Sequence, residues 1–419
     1  MLLTPLRRCY ALRGIGSLAS QLLQFLLPVV IYQVTRSVTW AGLTLTLQWV
    51  PQLASLAIAG VWVDRFGVRT VYVCADVVRL AAATAATVLV AADPGAVRWG
   101  LLGLSLVAGG CFEQTFVAGE KAVRVLADPR AMARAQSILG GIDQAAQMAA
   151  PALGAALLVL GTQPPVYLVT AAFAASLALS VALRGPGLAQ RAGEPDRGLR
   201  REVGRSVRRV ATDPVLRTVV LMTMLVNLLL SMLLGGAPAL LSRSYHHGGS
   251  YLGVVYTIGA AASIAILAGV PALVRRSGVV ALGVISAVLV CASFAAMGVA
   301  PGAAGFAVAV VAFLCVESTF TVFIRTVRAH RVDPASFGSV VSVIVLLNFA
   351  PMPLGGLLVA ASRWTGSLAA MFTVTGVAAL ALTLVACRPV AVHLARVPWA
   401  RSGQVAKETP EPAGPGPAA

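Results

Sequence analysis

The sequence predicts an all-α membrane protein with twelve transmembrane helices in two six-helix bundles. Hydrophobic residues make up 58% of the 419-residue chain and charged residues only 11%, and the mean hydropathy is +0.86. This composition is too apolar for a soluble globular domain. The apolar residues fall into blocks of about 20 or more, the length that crosses a bilayer as a helix. The second half of the chain also repeats a pattern of the first half, which predicts two equivalent bundles.

Twelve apolar blocks follow one another, separated by short polar connections. The first block has more than about 20 residues and no small-residue cleavage site, so we interpret it as a transmembrane helix and not as a signal peptide. An even number of spans places both ends of the chain on the same side of the membrane. The predicted spans are residues 10–34, 39–63, 71–92, 98–120, 134–160, 164–184, 214–240, 249–273, 280–300, 303–325, 335–361 and 366–387.

The basic residues predict the orientation of these spans. All but four of the 32 Lys and Arg residues would lie on the side that holds both termini. Because basic residues concentrate on the cytoplasmic side of membrane proteins, we expect both termini in the cytoplasm. The net charge of +17 follows this alternation and forms no single patch, so it does not indicate nucleic-acid binding. The four exceptions are Arg36, Arg98, Arg243 and Arg363.

The spans divide the chain into two halves and two non-membrane segments. We predict an N-terminal bundle over residues 1–184, a cytoplasmic linker over 185–213, a C-terminal bundle over 214–387 and a disordered cytoplasmic tail over 388–419. The tail is rich in Pro, Gly and Ala, which is typical of disorder. The linker from about 199 to 211 could form an amphipathic helix on anionic lipid, although a solvated basic linker would explain the same charges.

An internal repeat relates the two halves. The segment CFEQTF at 111–116 matches CVESTF at 315–320 with an offset of 204 residues, and the same offset relates Arg124 to Arg328. The fourth and tenth spans are therefore equivalent members of two six-helix repeats. Paired repeats of this kind are typical of membrane transporters, which use them for alternating access.

A charged turn, GVWVDRFGVR, joins the second and third spans. A turn this short makes the two spans antiparallel neighbours, and its glycines allow sharp bending and close packing. Its carboxylate lies at a helix end on the membrane surface, where it can pair with arginine or cap another helix. The residues that we expect to act in gating here are Gly60, Asp64, Arg65, Gly67 and Arg69.

Three carboxylates are predicted to lie at bilayer depth: Glu113, Asp143 and Glu317. Ionisable groups at this depth are costly, so their presence indicates function. A carboxyl group in a partly dry cavity can hold a proton near neutral pH, and a cationic substrate can compete with that proton. The alternative is a packing role, with the protonated acids hydrogen-bonded to polar side chains of neighbouring helices. We predict no Lys or Arg at comparable depth.

Three segments resemble a known family. The charged turn resembles the loop between helices 2 and 3 of the major facilitator superfamily, G-x-x-x-D-R-x-G-R-R, with Val68 where a basic residue is usual. The segment 75–79, ADVVR, is similar to A-D-x-x-R in bacterial drug and siderophore exporters of the enterobactin-exporter type. Helix 5 ends in a segment similar to the antiporter motif G-P-x-x-G-G, in which Pro151 and Gly154 are kept and alanines replace two glycines.

The resemblance implies a major facilitator fold whose helices 1, 4, 7 and 10 surround a central cavity. Glu113 and Glu317 would then face each other across the cavity. Asp64 would pair with Arg124 and face the start of helix 11 around 335–338, closing the inner gate in the outward-open state.

The function that the resemblance implies is proton-coupled efflux of a small amphipathic or cationic compound. The protein would be a monomer in the bacterial inner membrane, with the substrate, protons and the lipid bilayer as its partners. The alternatives are a proton symporter or importer of a small solute, and a non-transporting sensor or scaffold. The sequence has no P-loop, HExxH or CxxC motif, so we expect neither an enzyme nor an ATP-driven pump, and no cofactor or metal.

Overall fold

The structure is a computed structural model that describes residues 4–92, 96–128, 132–161, 163–185, 188, 199–332 and 337–394. Fourteen α-helices occupy this part of the chain. They are α1 (Pro5–Thr35), α2 (Val38–Phe66), α3 (Val68–Ala92), α4 (Val97–Leu126), α5 (Met132–Val159), α6 (Gln163–Ala182), α7 (Leu199–Thr212), α8 (Pro214–Tyr245), α9 (Gly249–Ser277), α10 (Val279–Gly298), α11 (Ala303–Arg331), α12 (Phe337–Phe349), α13 (Met352–Thr365) and α14 (Leu368–Leu394).

The twelve predicted spans are confirmed, since twelve stretches of the described chain are long and apolar enough to cross a membrane. Each span is a single helix except the eleventh along the chain, which consists of α12 and α13. Most boundaries differ from the prediction by a few residues, and two of the differences change the interpretation. The first helix begins at Pro5 and not at residue 10, and α14 continues to Leu394, so the tail predicted from 388 begins as helix.

The short helix α7 occupies the predicted amphipathic part of the linker. It buries Val210 in an apolar cluster with Leu216 of α8 and Ile344 of α12, while Arg205 and Arg208 are exposed. It therefore packs on the second half of the chain. Residues 189–198 of the linker and 395–419 of the tail lie outside the described residues.

The two halves form separate bundles that contact each other mainly through α2 with α13 and α5 with α9. Within the first half, α4 packs on α2 and α3, and α1 on α5. Within the second half, α10 packs on α11 and α14, and α9 on α11. The fold is thus the predicted pair of bundles.

The halves are pressed together at the face where α1 ends and α2 begins, which we call the Arg36 face. A Cβ atom added to Gly42 would overlap the carbonyl oxygen of Gly356, and one added to Gly253 would overlap Ala155. Only glycine permits such close approach of two helix backbones. The Arg243 guanidinium also donates a 3.4 Å hydrogen bond to the carbonyl of Arg36 across this face.

The halves diverge towards the opposite face, where α2 ends and α3 begins, which we call the Asp64 face. The first half of span eleven, α12, makes few contacts with α2, whereas α13 packs along it. A cleft between the bundles therefore opens to the Asp64 face.

Candidate functional site

The charged turn lies at the mouth of the cleft. Gly67 ends α2 with φ of 80°, a conformation that favours glycine, and α3 begins at the next residue. The Arg69 guanidinium donates a 2.9 Å hydrogen bond to the carbonyl of Val181 in α6. The Arg65 guanidinium lies 5.5 Å from the ring of Phe66. The Arg69 hydrogen bond fixes the turn to α6 of the first bundle.

In this conformation Asp64 pairs with Lys121, and its pairing with Arg124 in the outward-open state stays a prediction. Lys121 Nζ donates a 2.6 Å hydrogen bond to Asp64 Oδ1, and Arg124 is exposed without forming the expected pair. Asp64 precedes the end of α2, so it lies opposite Lys121, one turn before Arg124 on α4. The expected contact with 335–338 includes residues 335 and 336, which lie outside the described part of the chain, and it stays a prediction.

Glu113 lies between α4 and α2, close to the middle of the first bundle. Its side chain is 6% exposed, and Gln52 Nε2 donates a 2.9 Å hydrogen bond to its Oε1. Among the described residues, no ion pair includes Glu113. A buried carboxyl group outside an ion pair is costly, so Glu113 is a candidate for function.

Asp143 is neutralised by an arginine that the sequence analysis missed. Arg13 of α1 donates from Nε to Asp143 Oδ1 and from Nη2 to Oδ2, both at 2.7 Å, and Ser17 Oγ donates to Oδ1 at 2.7 Å. The guanidinium also lies 3.9 Å from the ring of Phe116. The prediction of no basic residue at depth was therefore wrong. It placed Arg13 near the membrane surface because it started the first span at residue 10.

A second ion pair is enclosed in the same bundle. Asp76 and Arg79, three residues apart on α3, are completely buried and bound to each other. Ser176 of α6 donates a 3.0 Å hydrogen bond to Asp76 Oδ2, and the Arg79 guanidinium lies 5.0 Å from the ring of Phe173. The A-D-x-x-R spacing was the signal for this pair, because residues three apart share a helix face.

Glu317 lies on α11 in the second half. It is partly exposed, and Thr321 Oγ1, one turn further along the same helix, donates a 3.0 Å hydrogen bond to its Oε1. In the described part of the chain, neither a hydrogen bond nor an ion pair joins Glu317 to Glu113. That the two acids face each other across the cleft remains a prediction.

The helix 5 motif lies at the closed end of the molecule. A Cβ atom added to Gly154 would lie 2.6 Å from the ring of Phe25 in α1. A Cβ atom added to Gly253 of α9 would lie 3.0 Å from the carbonyl oxygen of Pro151. Pro151 and Gly154 therefore allow α5 to pack tightly between α1 and α9. They contribute to the contact that closes the Arg36 face.

Residues 10–355 match the Major Facilitator Superfamily. The chain belongs to this superfamily. It is therefore a multi-pass membrane protein and a secondary transporter of a small molecule, and not an enzyme. A comparison with curated protein sequences finds no match to this chain.

Solved structures of transporters with the superfamily fold are similar to this one. The nucleoside transporter NupG is 11% identical with a TM-score of 0.71, over 92% of this chain and 98% of that chain. A bacterial homologue of the iron transporter ferroportin in its inward-facing state is 16% identical with a TM-score of 0.70, over 93% and 100%. In its outward-facing state, the ferroportin homologue has a TM-score of 0.58 and 18% identity, over 92% and 98%.

Proposed function

We propose that this transporter exports a small cationic or amphipathic compound in exchange for protons. It works as a monomer in the bacterial inner membrane, with both termini in the cytoplasm. The observation that carries the proposal is Glu113, a buried carboxyl group whose described partner is the amide of Gln52. A carboxyl group without a resident cation can hold either a proton or a substrate cation.

The conformation allows access from the cytoplasm. If the basic residues mark the cytoplasmic side, the Asp64 face is cytoplasmic and the cleft faces inward. The higher TM-score with the inward-facing ferroportin homologue, 0.70 against 0.58 for the outward-facing one, agrees with this assignment. A substrate from the cytoplasm would then have access to the cleft.

The exchange follows if the proton and the substrate cation share Glu113. In the inward-open state the substrate cation displaces the proton of Glu113, which is released to the cytoplasm. The bundles then close at the Asp64 face and open at the Arg36 face. The substrate leaves and Glu113 takes up a proton from the outside, which favours return to the inward-open state. A symporter would need substrate and proton bound together, whereas one carboxyl group between them favours exchange.

Proton release on binding tests the proposal. The purified protein, in weakly buffered detergent solution with a pH-sensitive dye, is titrated with tetraphenylphosphonium and, separately, with ethidium. We expect bound cation to release protons in proportion to its amount, with heat-denatured protein as the control. Binding of either cation without any proton release would contradict the exchange mechanism.

The ion pair between Asp64 and Lys121 can be tested by swapping the charges of its two members. Asp64→Lys and Lys121→Asp each place like charges together, so we expect ethidium efflux to fall severalfold in either variant. The double variant Asp64→Lys/Lys121→Asp restores an ion pair and should recover part of the efflux rate. Arg124→Ala, which removes an exposed side chain, is the matched control. If Arg124→Ala is as damaging as the single exchanges, Lys121 is not the functional partner of Asp64.

A further inference from the structure

A small cavity lies inside the first bundle, between α1, α3 and α4. Its volume is about 10 Å³, which is room for one water molecule or an ion of similar size. We call it the bundle cavity. Its polar lining consists of Arg13, Ser17, Ser20, Tyr72, Arg79 and Thr115.

The bundle cavity is lined by two buried guanidinium groups and by neither of their carboxylate partners. Arg13 is bound to Asp143 and Arg79 to Asp76, but of these four residues only the two arginines belong to the lining. Each ion pair therefore has its positive member nearer the cavity. Because charges inside a protein are poorly screened, this arrangement attracts a small anion and repels a cation.

Most of the polar lining is already hydrogen-bonded. The hydroxyl groups of Ser17, Ser20 and Thr115 each donate to an oxygen atom of the surrounding helices. Arg13 donates through all three nitrogen atoms of its guanidinium group. The remaining polar side chains of the lining, Tyr72 and Arg79, both belong to α3.

These two side chains of α3 carry unpaired donors. Within the described part of the chain, Arg79 Nε, Arg79 Nη1 and Tyr72 Oη have no hydrogen-bond partner, and the side chains of Arg79 and Tyr72 are only 1% and 2% exposed. Buried polar atoms are nearly always paired, so unpaired ones need an explanation. A guanidinium group only donates hydrogen bonds, and a phenolic hydroxyl group can donate one. The three atoms therefore call for a hydrogen-bond acceptor.

A glycine of α4 allows the Tyr72 hydroxyl group to come close to Arg13. A Cβ atom added to Gly119 would lie 2.6 Å from Tyr72 Oη and 3.2 Å from Arg13 Nη1. Atoms of α1 and α3 thus converge on one point beside α4. Arg79 follows Tyr72 by two helical turns, so both residues lie on the same face of α3.

We propose that the bundle cavity binds one halide ion, which in a cell is chloride. Arg79 donates to the ion through Nε and Nη1, and Tyr72 donates through its hydroxyl group, while Arg13 contributes positive potential. A water molecule has a suitable size, but the two guanidinium groups of the lining favour a negative ligand over a neutral one. The bound ion joins α1 to α3 and stabilises the first bundle. Glu113 does not line the cavity, and the proposal does not rest on the proposed exchange.

The dependence of stability on chloride tests the proposal. The purified protein is unfolded by heat in detergent solution, with sodium chloride or sodium bromide replaced stepwise by sodium gluconate at constant ionic strength and pH. Gluconate is too large for a cavity of this volume. We expect either halide to raise the unfolding midpoint along a saturating curve, because a ligand that binds only the folded protein stabilises it.

Three variants locate the effect. Tyr72→Phe removes one donor and keeps the ring, so the halide concentration that gives half of the maximal rise should increase roughly tenfold. The double variant Asp76→Leu/Arg79→Leu removes the other two donors without leaving a buried charge, so the rise should disappear. Tyr256→Phe is the matched control and should leave the rise unchanged, because it removes a buried and unpaired hydroxyl group on α9, outside the cavity.

Equal midpoints in chloride and gluconate for the wild-type protein would overturn the proposal and make a water molecule the occupant of the cavity. This comparison needs no variant. A halide effect that survives in the double variant would also overturn it, since the ion would then bind elsewhere. Anomalous scattering from crystals grown in bromide gives the position directly. A peak in the bundle cavity supports the proposal, whereas peaks only elsewhere contradict it.

Discussion

Replacing Asp76 with leucine should lower the free energy of unfolding by about 3–5 kcal/mol, because it leaves the Arg79 guanidinium buried without its partner. Arg79→Leu should cost less, since the remaining carboxyl group can take up a proton, whereas a guanidinium cannot lose one. The double variant Asp76→Leu/Arg79→Leu should be more stable than either single variant. Unfolding of the purified protein by sodium dodecyl sulfate, followed by circular dichroism, measures all three.

The exposed ion pair is the control for this series. Asp64 is 56% exposed, and such a pair contributes about 0–1 kcal/mol, so Asp64→Asn should leave the stability nearly unchanged. A double variant at 76 and 79 that is less stable than Asp76→Leu would contradict the account. It would mean that the two side chains stabilise the bundle through contacts other than their ion pair.

Glu113→Gln should abolish the coupling of transport to the pH gradient. The glutamine keeps the size of the side chain and can still hydrogen-bond to Gln52, but it cannot exchange a proton. In inside-out vesicles with an acidic interior, we expect gradient-driven accumulation of tetraphenylphosphonium to fall to the level of vesicles without the protein. Binding of the compound, measured without a gradient, should weaken but remain detectable.

Glu317→Gln is the matched comparison for that prediction. Glu317 is partly exposed and held by Thr321 of its own helix, so its replacement should change transport less than Glu113→Gln does. If Glu317→Gln abolishes accumulation and Glu113→Gln does not, the second bundle carries the proton. Gradient-driven accumulation that survives in both variants would make the two acids structural.

The sequence predicts the fold well because the membrane imposes a simple rule on it. Each span needs about 20 apolar residues, and the blocks are visible without knowledge of tertiary contacts. A helix at about 199–211 was one of two interpretations of the linker, and the structure has it at Leu199–Thr212, packed on α8 and α12. The break in span eleven was missed, although Pro351 stands within it. A proline in a transmembrane helix is compatible with an unbroken span, and the side chains of α2 and α8 that donate to carbonyl groups beside this break are distant in the sequence.

The candidate site was less predictable, because its contacts join helices that are distant in the sequence. Depth in the membrane singled out Glu113 and Asp143, but the partners of these acids are on α2 and α1. A shift of five residues in the start of α1 was enough to hide Arg13. The pairing of Asp64 with Lys121 in this conformation depends on the rotation of α4 about its axis, so it required the structure.

The most direct test of the account measures both faces of the protein as the pH changes. Spin labels on a cysteine-free background are placed at Thr70 and Ser277 for the Asp64 face, and at Leu160 and Trp364 for the Arg36 face, and distances are read by double electron–electron resonance. Since a protonated Glu113 favours the inward-open conformation, acidification should lengthen the first distance and shorten the second. Glu113→Gln should hold both at their acidic values at any pH. Distances that do not respond to pH, or that change in the same direction on both faces, would contradict proton-coupled alternating access.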